Sequence, residues 1–592
     1  MGQMLEHGLR LAPAQVDVVR RADGTTLLRS PQPLRGHARA VGEWLVRWAA
    51  EAPERCFLAE RQGDAWRKVS YREALALARR IGQGLLARGL DASKPIAILS
   101  DNSIDHALLA LGAMHVGVPV APVSPAYSLM SKDFAKLKAI FGLLKPGLVW
   151  TSDPGKFEPA LAAVGASATP LAELFARAPG PEVDTAFSRI EPETVAKVLF
   201  TSGSTGTPKG VINTHRMLAA NQEQYAIVWP FLEELPLVLV DWLPWNHTFG
   251  GNSNFFMMLR NGGTTHIDAG KPAPGLVETS VRNLKAVSPT MYFNVPRGFD
   301  LLLPFLERDA DLRKSFFREL EWMVYAGAAL PQNLWDRMQQ LALAERGTRL
   351  PLISAWGSTE TAPLATCVHY PVDRAGIVGL PVPGCELKLV PSAGKLEVRV
   401  KGPNVTPGYF GRDDLTRAAF DEEGYYRIGD ALKFVDPGRP EQGLAFDGRT
   451  AEDFKLSTGT WVHVGATRIR LIAAGDPLIQ DAVITGHGRP EVGALVFLNA
   501  AAVKAKGLDA DAVRAHLLAA MRKLAAETGS GSSTHPVRAL VVADPPSIDA
   551  NEITDKGYIN QRAVLERRAA LVEALHADPP GAEVVLTSPA HK

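Results

Sequence analysis

Up to about Trp356 the chain repeats one rhythm, in which short, wholly apolar runs are followed by longer stretches with helical spacing of apolar positions. Pro95-Ile-Ala-Ile-Leu reads as a strand, and a helix follows from about Ile104. Val118 to Val123, Gly147-Leu-Val-Trp, Val198-Leu-Phe-Thr, Leu237-Val-Leu-Val, Met291-Tyr-Phe, Trp322-Met-Val-Tyr and Leu352-Ile-Ser-Ala-Trp continue the series. Fully apolar strands separated by helices predict mostly parallel sheets covered on both faces. From about Pro383 the period shortens to two: Leu387-Lys-Leu-Val and Lys395-Leu-Glu-Val-Arg-Val alternate, as half-buried antiparallel strands do. After the turn-rich Asp436-Pro-Gly-Arg-Pro-Glu-Gln-Gly, a smaller set of strands and helices begins. The expected fold is therefore α/β. A large domain, 1–447, has helix-covered, mostly parallel sheets plus a small β-barrel-like part, and an α+β domain follows at 448–592. The tails, 1–15 and 577–592, read as loosely tethered.

Composition narrows the function classes. Of 592 residues, 46% are hydrophobic and 21% charged, as in an ordinary globular protein of more than one domain. Lys+Arg at 64 against Asp+Glu at 63 gives a net charge of +1, without the basic excess of a nucleic-acid binder. An anionic ligand must then be held by a local site. Cys56, Cys367 and Cys385 lie far apart, with neither metal-ligand spacing nor a disulfide framework. The longest apolar stretch, Ala107 to Val123, is interrupted by Gly117, Pro119 and Pro122 and reads as a helix entering a strand. With no signal pattern at the start, the expectation is a cytoplasmic chain without membrane insertion.

The densest chemistry lies in Leu199-Phe-Thr-Ser-Gly-Ser-Thr-Gly-Thr-Pro-Lys-Gly-Val. A strand runs into a loop where Gly203, Gly206 and Gly210 permit close backbone approach, Ser202, Ser204, Thr205 and Thr207 add hydroxyls, and Lys209 adds a point charge. Such a loop is an anion nest. It is not a Walker A loop, because Pro208 precedes the lysine. Separately, Trp245-Asn-His-Thr-Phe-Gly-Gly places His247 between aromatics and glycines after a strand, as a pocket wall would. A lone histidine is as readily a structural residue.

The loop resembles the phosphate signature of the adenylate-forming superfamily of acyl-CoA synthetases, luciferases and peptide-synthetase adenylation domains, and the likeness extends from about Ile96 to Arg568. The resemblance implies ATP held by Thr201, Ser202, Gly203, Ser204, Thr205, Gly206, Thr207 and Lys209. It implies adenine against Gly327, Ala328 and Ala329 of Tyr325-Ala-Gly-Ala-Ala-Leu-Pro, and beside Trp356 of Ala355-Trp-Gly-Ser-Thr-Glu-Thr. In that second segment Gly357 and Ser358 would border the nucleotide, Thr359 would hydrogen-bond a phosphate, and Glu360 would be the ligand of Mg²⁺. Asp430, in Glu423-Gly-Tyr-Tyr-Arg-Ile-Gly-Asp, would hold the ribose, and Arg449 would contact the nucleotide. Either Ala451 or Glu452 would be the hinge that makes the smaller domain mobile. His247 would line the carboxylate pocket. Lys556, in Asn551-Glu-Ile-Thr-Asp-Lys-Gly, matches the C-terminal lysine with the usual Gly-Lys order reversed. The implied catalytic set is Lys556, Glu360, Thr205 and His247.

Three segments resemble the feruloyl-CoA synthetase branch: Tyr292-Phe-Asn-Val-Pro-Arg-Gly, Ala451-Glu-Asp-Phe-Lys-Leu-Ser-Thr-Gly-Thr-Trp-Val and Glu552-Ile-Thr-Asp-Lys-Gly-Tyr-Ile-Asn-Gln-Arg. The expected activity is ATP-dependent joining of a carboxylic acid, ferulate or a related aromatic acid, to coenzyme A, through an acyl-adenylate and with release of AMP and pyrophosphate. Medium-chain fatty acids, an acceptor other than coenzyme A, and a nucleotide-binding regulator without turnover are the alternatives. A homodimer is left open.

Overall fold

The computed structural model describes residues 3–4, 8–202, 206–273, 275–392, 394–528, 531, 533–554, 557 and 559–587. The chain forms two compact units. The larger comprises Met1–Met130, Phe134–Ile428 and Lys433–Ala445, and the smaller comprises Ser131–Asp133, Gly429–Leu432 and Phe446–Lys592.

In the larger unit, the apolar runs become strands whose residues are mostly buried, because helices cover both faces of the sheet. Ile96–Leu99, Val120–Val123 and Leu148–Thr151 pair in parallel. Val195–Ser202 joins Val120–Val123, and Pro208–Thr214 closes that edge as an antiparallel hairpin partner. Helix Tyr71–Ala87 starts where the Ser70 side chain accepts from the Glu73 amide and Glu73 caps back. Its apolar face packs with helix Ile104–His115 into a core that includes Trp44, Phe57, Tyr71, Ile81 and Phe256. A second sheet orders Val238–Asp241, Thr264–Ile267, Cys56–Gln62 and Ala65–Ser70.

The third sheet begins with three parallel strands, Met291–Asn294, Trp322–Tyr325 and Leu352–Gly357. The antiparallel strands continue it without a break: Leu364–Cys367, Ile377–Pro381, Leu444–Arg449, Tyr426–Phe434, Lys395–Lys401 and Glu386–Ser392. A hairpin of Thr26–Arg29 and Asp17–Arg20 completes the order, with Glu386 opposite Arg29.

The reading of the tails as loosely tethered needs correction. Leu11 is fully buried, and the Ala12 amide donates to the Val228 carbonyl oxygen. At the other end Val584 and Val585 are buried, and Val585–Leu586 pairs with Arg538–Val541. Apolar side chains too few to announce an element by periodicity still gain by leaving water.

The smaller unit is α+β. Its sheet orders Ile479–Thr485, Gly493–Leu498, Arg538–Val541 and Val585–Leu586. Helices Val464–Ala474 and Ala510–Thr528 contribute Leu471, Leu517, Met521 and Leu524 to one core. Val564 and Leu575 of Gln561–Arg567 and Ala569–His576 enter another. No helix among the described residues is long and apolar enough to cross a membrane.

Candidate active site

The two strands Val195–Ser202 and Pro208–Thr214 form a regular hairpin, with Thr201 opposite Lys209 and Ser202 opposite Pro208. The chain therefore enters and leaves the glycine- and hydroxyl-rich stretch on paired strands. Gly206 has φ of +83°, a conformation that glycine adopts without strain. Thr207 is exposed and Lys209 half-buried. Gly203, Ser204, Thr205 and the Ser202 side chain lie outside the described residues, as does Lys556.

A second segment meets this hairpin from far along the chain. The Phe410 amide donates to the Gly210 carbonyl oxygen at 2.7 Å, and the Ile212 amide donates to that of Gly408 at 3.1 Å. This pairing sets Tyr409 beside Lys209. The Lys209 ammonium lies 3.3 Å from the Tyr409 hydroxyl and 4.5 Å from the ring centre. In turn the Tyr409 hydroxyl donates to Glu360 Oε1 at 3.1 Å and lies 3.2 Å from the Tyr426 hydroxyl. Burial first, then the Glu360 charge, raises the pKa of both phenols, so both keep their protons at neutral pH. A cation, a carboxylate and two phenols thus share one network.

Glu360 is only 7% exposed and sits in the turn Thr359–Thr361, directly after a strand. The Thr406 amide donates to its carbonyl oxygen at 2.8 Å. Before it, Gly357 is packed so closely that an added Cβ would lie 1.7 Å from the Pro363 carbonyl oxygen. The Ser358 amide donates to Thr361 Oγ1 at 2.8 Å, so the turn is fixed at both ends. No group of three or more His, Cys, Asp or Glu able to hold a metal occurs among the described residues. A single buried carboxylate linked through Tyr409 to Lys209 fits Mg²⁺, which usually takes one or two carboxylates and completes its shell with phosphate and water oxygens.

Gly327, Ala328 and Ala329 follow the strand Trp322–Tyr325 and are exposed. Trp356 and Thr359 are buried at the end of the neighbouring parallel strand. Both segments leave the carboxyl edge of parallel strands, where ligands of open α/β sheets commonly bind.

His247 stands on the turn that leaves Val238–Asp241 and enters a π-helix, Phe249–Asn254. Its carbonyl oxygen accepts from the Gly251 amide at 2.8 Å, and its Nδ1 accepts from the Phe249 amide at 3.3 Å. The two glycines are required by contact. A Cβ on Gly250 would lie 2.2 Å from the Leu243 carbonyl oxygen, and one on Gly251 would lie 2.2 Å from that of Trp245. Asp241 anchors both ends, accepting from the Leu243 amide at 3.1 Å and from Asn254 Nδ2 at 2.9 Å. Burial, with Asp268 adding a like charge, pushes the Asp241 carboxyl up to about 7.

Within the smaller unit, Arg449 Nε lies 3.8 Å from Asp430 Oδ1. The Arg449 side chain is 68% exposed, so the pair is an open one. The Thr450 amide and hydroxyl both donate to the Gly429 carbonyl oxygen at 3.0 Å, which sets the two strands in place. The turn continues with the Glu452 amide donating to the Arg449 carbonyl oxygen at 3.2 Å, around Ala451.

The structure thus joins Lys209 and Glu360 through Tyr409, with Tyr426 against the Tyr409 hydroxyl, and sequence reasoning assigned neither tyrosine. Their signal was weak. Tyr409 follows Pro-Gly on an irregular stretch, and nothing in its neighbourhood points to a lysine 200 residues earlier.

A carboxylic acid reductase of Segniliparus rugosus is 25% identical over 407 residues, which is 65% of this chain and 33% of that protein. The phenylacetyl-CoA ligase epaB of Aspergillus niger is 27% identical over 458 residues, 71% of this chain and 79% of that one. The chain therefore spans about a third of the reductase and about four fifths of the ligase. Among solved structures, the O-succinylbenzoate coenzyme A synthetase of Bacillus subtilis in complex with AMP superposes with a TM-score of 0.67 at 19% identity, covering 89% of this chain and 98% of that one. This likeness is one of fold. The AMP-binding enzyme C-terminal domain matches residues 456–579. Since the family "AMP-binding enzyme" matches residues 45–410, more than half of the sequence, the chain belongs to the AMP-binding enzyme family.

Proposed function

We propose that this chain is an ATP-dependent acid–CoA ligase acting on a hydroxycinnamic acid such as ferulate. The single observation that carries the nucleotide chemistry is the Lys209–Tyr409–Glu360–Tyr426 network at the foot of the glycine-rich hairpin. A carboxylate and a triphosphate repel each other in water, so a site that joins them must neutralise charge and hold the groups in line. Lys209 and the loop from Thr201 to Thr207 serve the phosphates. Mg²⁺ held by Glu360 would draw negative charge from the phosphate oxygens. Trp356 and Gly327 to Ala329 border the adenine, Gly357 to Thr359 the phosphates, Asp430 the ribose, and Arg449 the nucleotide. His247 orients the acid.

In the first step the acid carboxylate attacks the α-phosphorus of ATP, the bond to the β-phosphate oxygen breaks, and pyrophosphate leaves. Lys556 approaches the acid and phosphate oxygens in this step. In the second step the thiol of coenzyme A attacks the acyl carbon, and AMP leaves as the thioester forms. The smaller domain turns between the steps about Ala451 or Glu452, withdrawing Lys556. Support for an aromatic acid comes from the three segments that resemble feruloyl-CoA synthetases, together with the phenylacetyl-CoA ligase among the relatives. A second reading keeps the adenylate but transfers the acyl group to another acceptor, and the match to a carboxylic acid reductase favours it.

The test is pyrophosphate release with Mg·ATP across a panel of hydroxycinnamic, benzoic and medium-chain acids, with thioester scored in the presence of coenzyme A. Ferulate-type acids should give the highest kcat/KM, and thioester should accumulate. Adenylate without thioester would select the second reading, and absence of pyrophosphate with every acid would reject both. Glu360→Gln should slow pyrophosphate release by about a hundredfold or more while acid binding changes little. Unchanged turnover in that variant removes Glu360 from the metal site.

A further inference from the structure

The hairpin that carries the glycine-rich loop also holds the turn that carries His247. Lys197 and Asn213 are cross-strand partners at the base of that hairpin, both fully or almost fully buried. The Lys197 ammonium donates to the Gly251 carbonyl oxygen at 2.9 Å, and Asn213 Oδ1 accepts from Asn252 Nδ2 at 2.7 Å. The helix that follows the hairpin, His215–Val228, adds a third hold. Gln222 Nε2 donates to the carbonyl oxygens of Asn252 and Ser253, at 2.9 and 3.2 Å. Three successive residues of the π-helix are gripped by side chains of one strand–loop–strand–helix segment.

Packing alone does not account for Lys197. It is 4% exposed, its one hydrogen-bond acceptor among the described residues is a neutral carbonyl, and the Phe256 ring lies 5.5 Å away. A buried ammonium without a carboxylate partner is costly, and a methionine would fill the same space without that cost. What the lysine supplies is a rigid tie, reaching from the strand that leads into the loop to the backbone four residues beyond His247. Burial holds its pKa at about 7, so a neutral amine and an ammonium can both donate this bond. π-helical turns are rare and are frequently found at functional sites. This one is fastened to the nucleotide hairpin by side chains, while its last residue, Asn254, and the Leu243 amide ahead of the turn are fastened to Asp241.

We infer that Lys197, with Asn213 and Gln222, is a positioning residue that couples the seating of a nucleotide in the hairpin loop to the shape of the His247 turn, so that nucleotide and acid strengthen each other's binding. The inference rests on the proposed reading, in which the loop holds ATP and the turn faces the acid. Coupling of this kind travels through contiguous contacts between rigid elements and must be reciprocal.

The test uses the full chain, Mg²⁺ with an ATP analogue bearing a methylene between the α- and β-phosphates, and the best acid from the panel above, measured by calorimetry. In the wild type each ligand should raise the affinity for the other by about tenfold, by the same factor in both orders. In Lys197→Met that factor should fall below about threefold, while the affinity for the analogue alone stays within about threefold of wild type. Gln222→Met, which touches no charge, should lower the factor in the same direction and serves if the first variant does not fold. Either variant binding both ligands with the wild-type factor overturns the inference, and so does an equal loss of both single-ligand affinities with the factor intact. A wild type that binds both ligands without mutual enhancement also overturns it and leaves the ligase reading standing. Failure of the wild type to bind the Mg²⁺-loaded analogue overturns the ligase reading itself.

Discussion

The hydroxyl of Tyr409 stands between the ammonium of Lys209 and the carboxylate of Glu360, which makes it the residue through which two separately predicted groups become one site. A hydrogen bond to a charged group contributes about 1.5–3 kcal/mol. Tyr409→Phe should therefore lower kcat/KM for Mg·ATP by about tenfold to a hundredfold, read by pyrophosphate release, with the melting temperature little changed because the phenyl ring still fills the same space. Lys197 offers a different residue-scale check. Its folded-state pKa is about 7, against an ordinary 10.5, so between those values the unfolded chain binds more protons than the folded one. Wild-type stability then gains from this group as pH rises through that window. Its titratable neighbour His106 is held down to about 4 by burial, the Lys197 charge adding to the effect, and stays neutral throughout. The stability difference, Lys197→Met minus wild type, should fall steadily from pH 7 to 10 in urea titrations. A flat difference would show that Lys197 is not held neutral. Legibility at this scale was uneven. Lys209 and Glu360 stand in dense local patterns, whereas Tyr409 and Lys197 take their meaning from contacts 49 to 200 residues away in sequence.

Elements that are buried on both faces read plainly in the sequence. Ile96–Leu99, Val120–Val123 and Leu148–Thr151 are apolar because helices lie above and below them, and the apolar run is the record of that burial. The π-helix Phe249–Asn254 left no such record. Its residues Gly-Gly-Asn-Ser-Asn have no helical periodicity, and the turn is held from outside by Lys197, Gln222 and Asp241. Asp17–Arg20 and Thr26–Arg29 were equally hard to foresee, since a strand of four residues is specified by its partner. The tight packing of the His247 turn gives an element-scale prediction. Gly251→Ala would press a methyl group against the Trp245 carbonyl oxygen and displace the turn. Since a shift of about 1 Å can cost a hundredfold in rate, kcat/KM for the acid should fall by about tenfold or more. The affinity for Mg·ATP alone should change by less than about threefold, and a parallel loss of both would assign the glycine to general folding.

At the scale of the whole molecule, the proposed chemistry divides between two units, and the larger carries the loop, Glu360 and His247. Lys556 belongs to the chain segment of the smaller unit, outside the described residues. Lys556→Ala should lower acyl-adenylate formation by about a hundredfold or more, yet convert supplied acyl-AMP and coenzyme A to thioester at a rate within about threefold of wild type. The two half-reactions, followed separately by pyrophosphate release and by thioester formation, give the answer; equal losses would remove Lys556 from the adenylating role.

The sequence by itself determined the α/β class, the glycine- and hydroxyl-rich loop proposed to bind anions, and the membership that its motifs imply. These rest on local signals: burial writes itself as apolar runs, and a phosphate nest needs glycines, hydroxyls and a lysine next to one another. Tertiary structure alone decided which residues complete the site. The Glu360 carboxylate meets Lys209 only because the chain near Tyr409 pairs with the hairpin edge, and the His247 turn keeps its shape only because Lys197, Asn213 and Gln222 reach it from another sheet and helix. The physical reason is the same in both cases. A hydrogen bond between distant segments depends on where the backbone brings its two ends, and no pattern local to either end encodes that meeting.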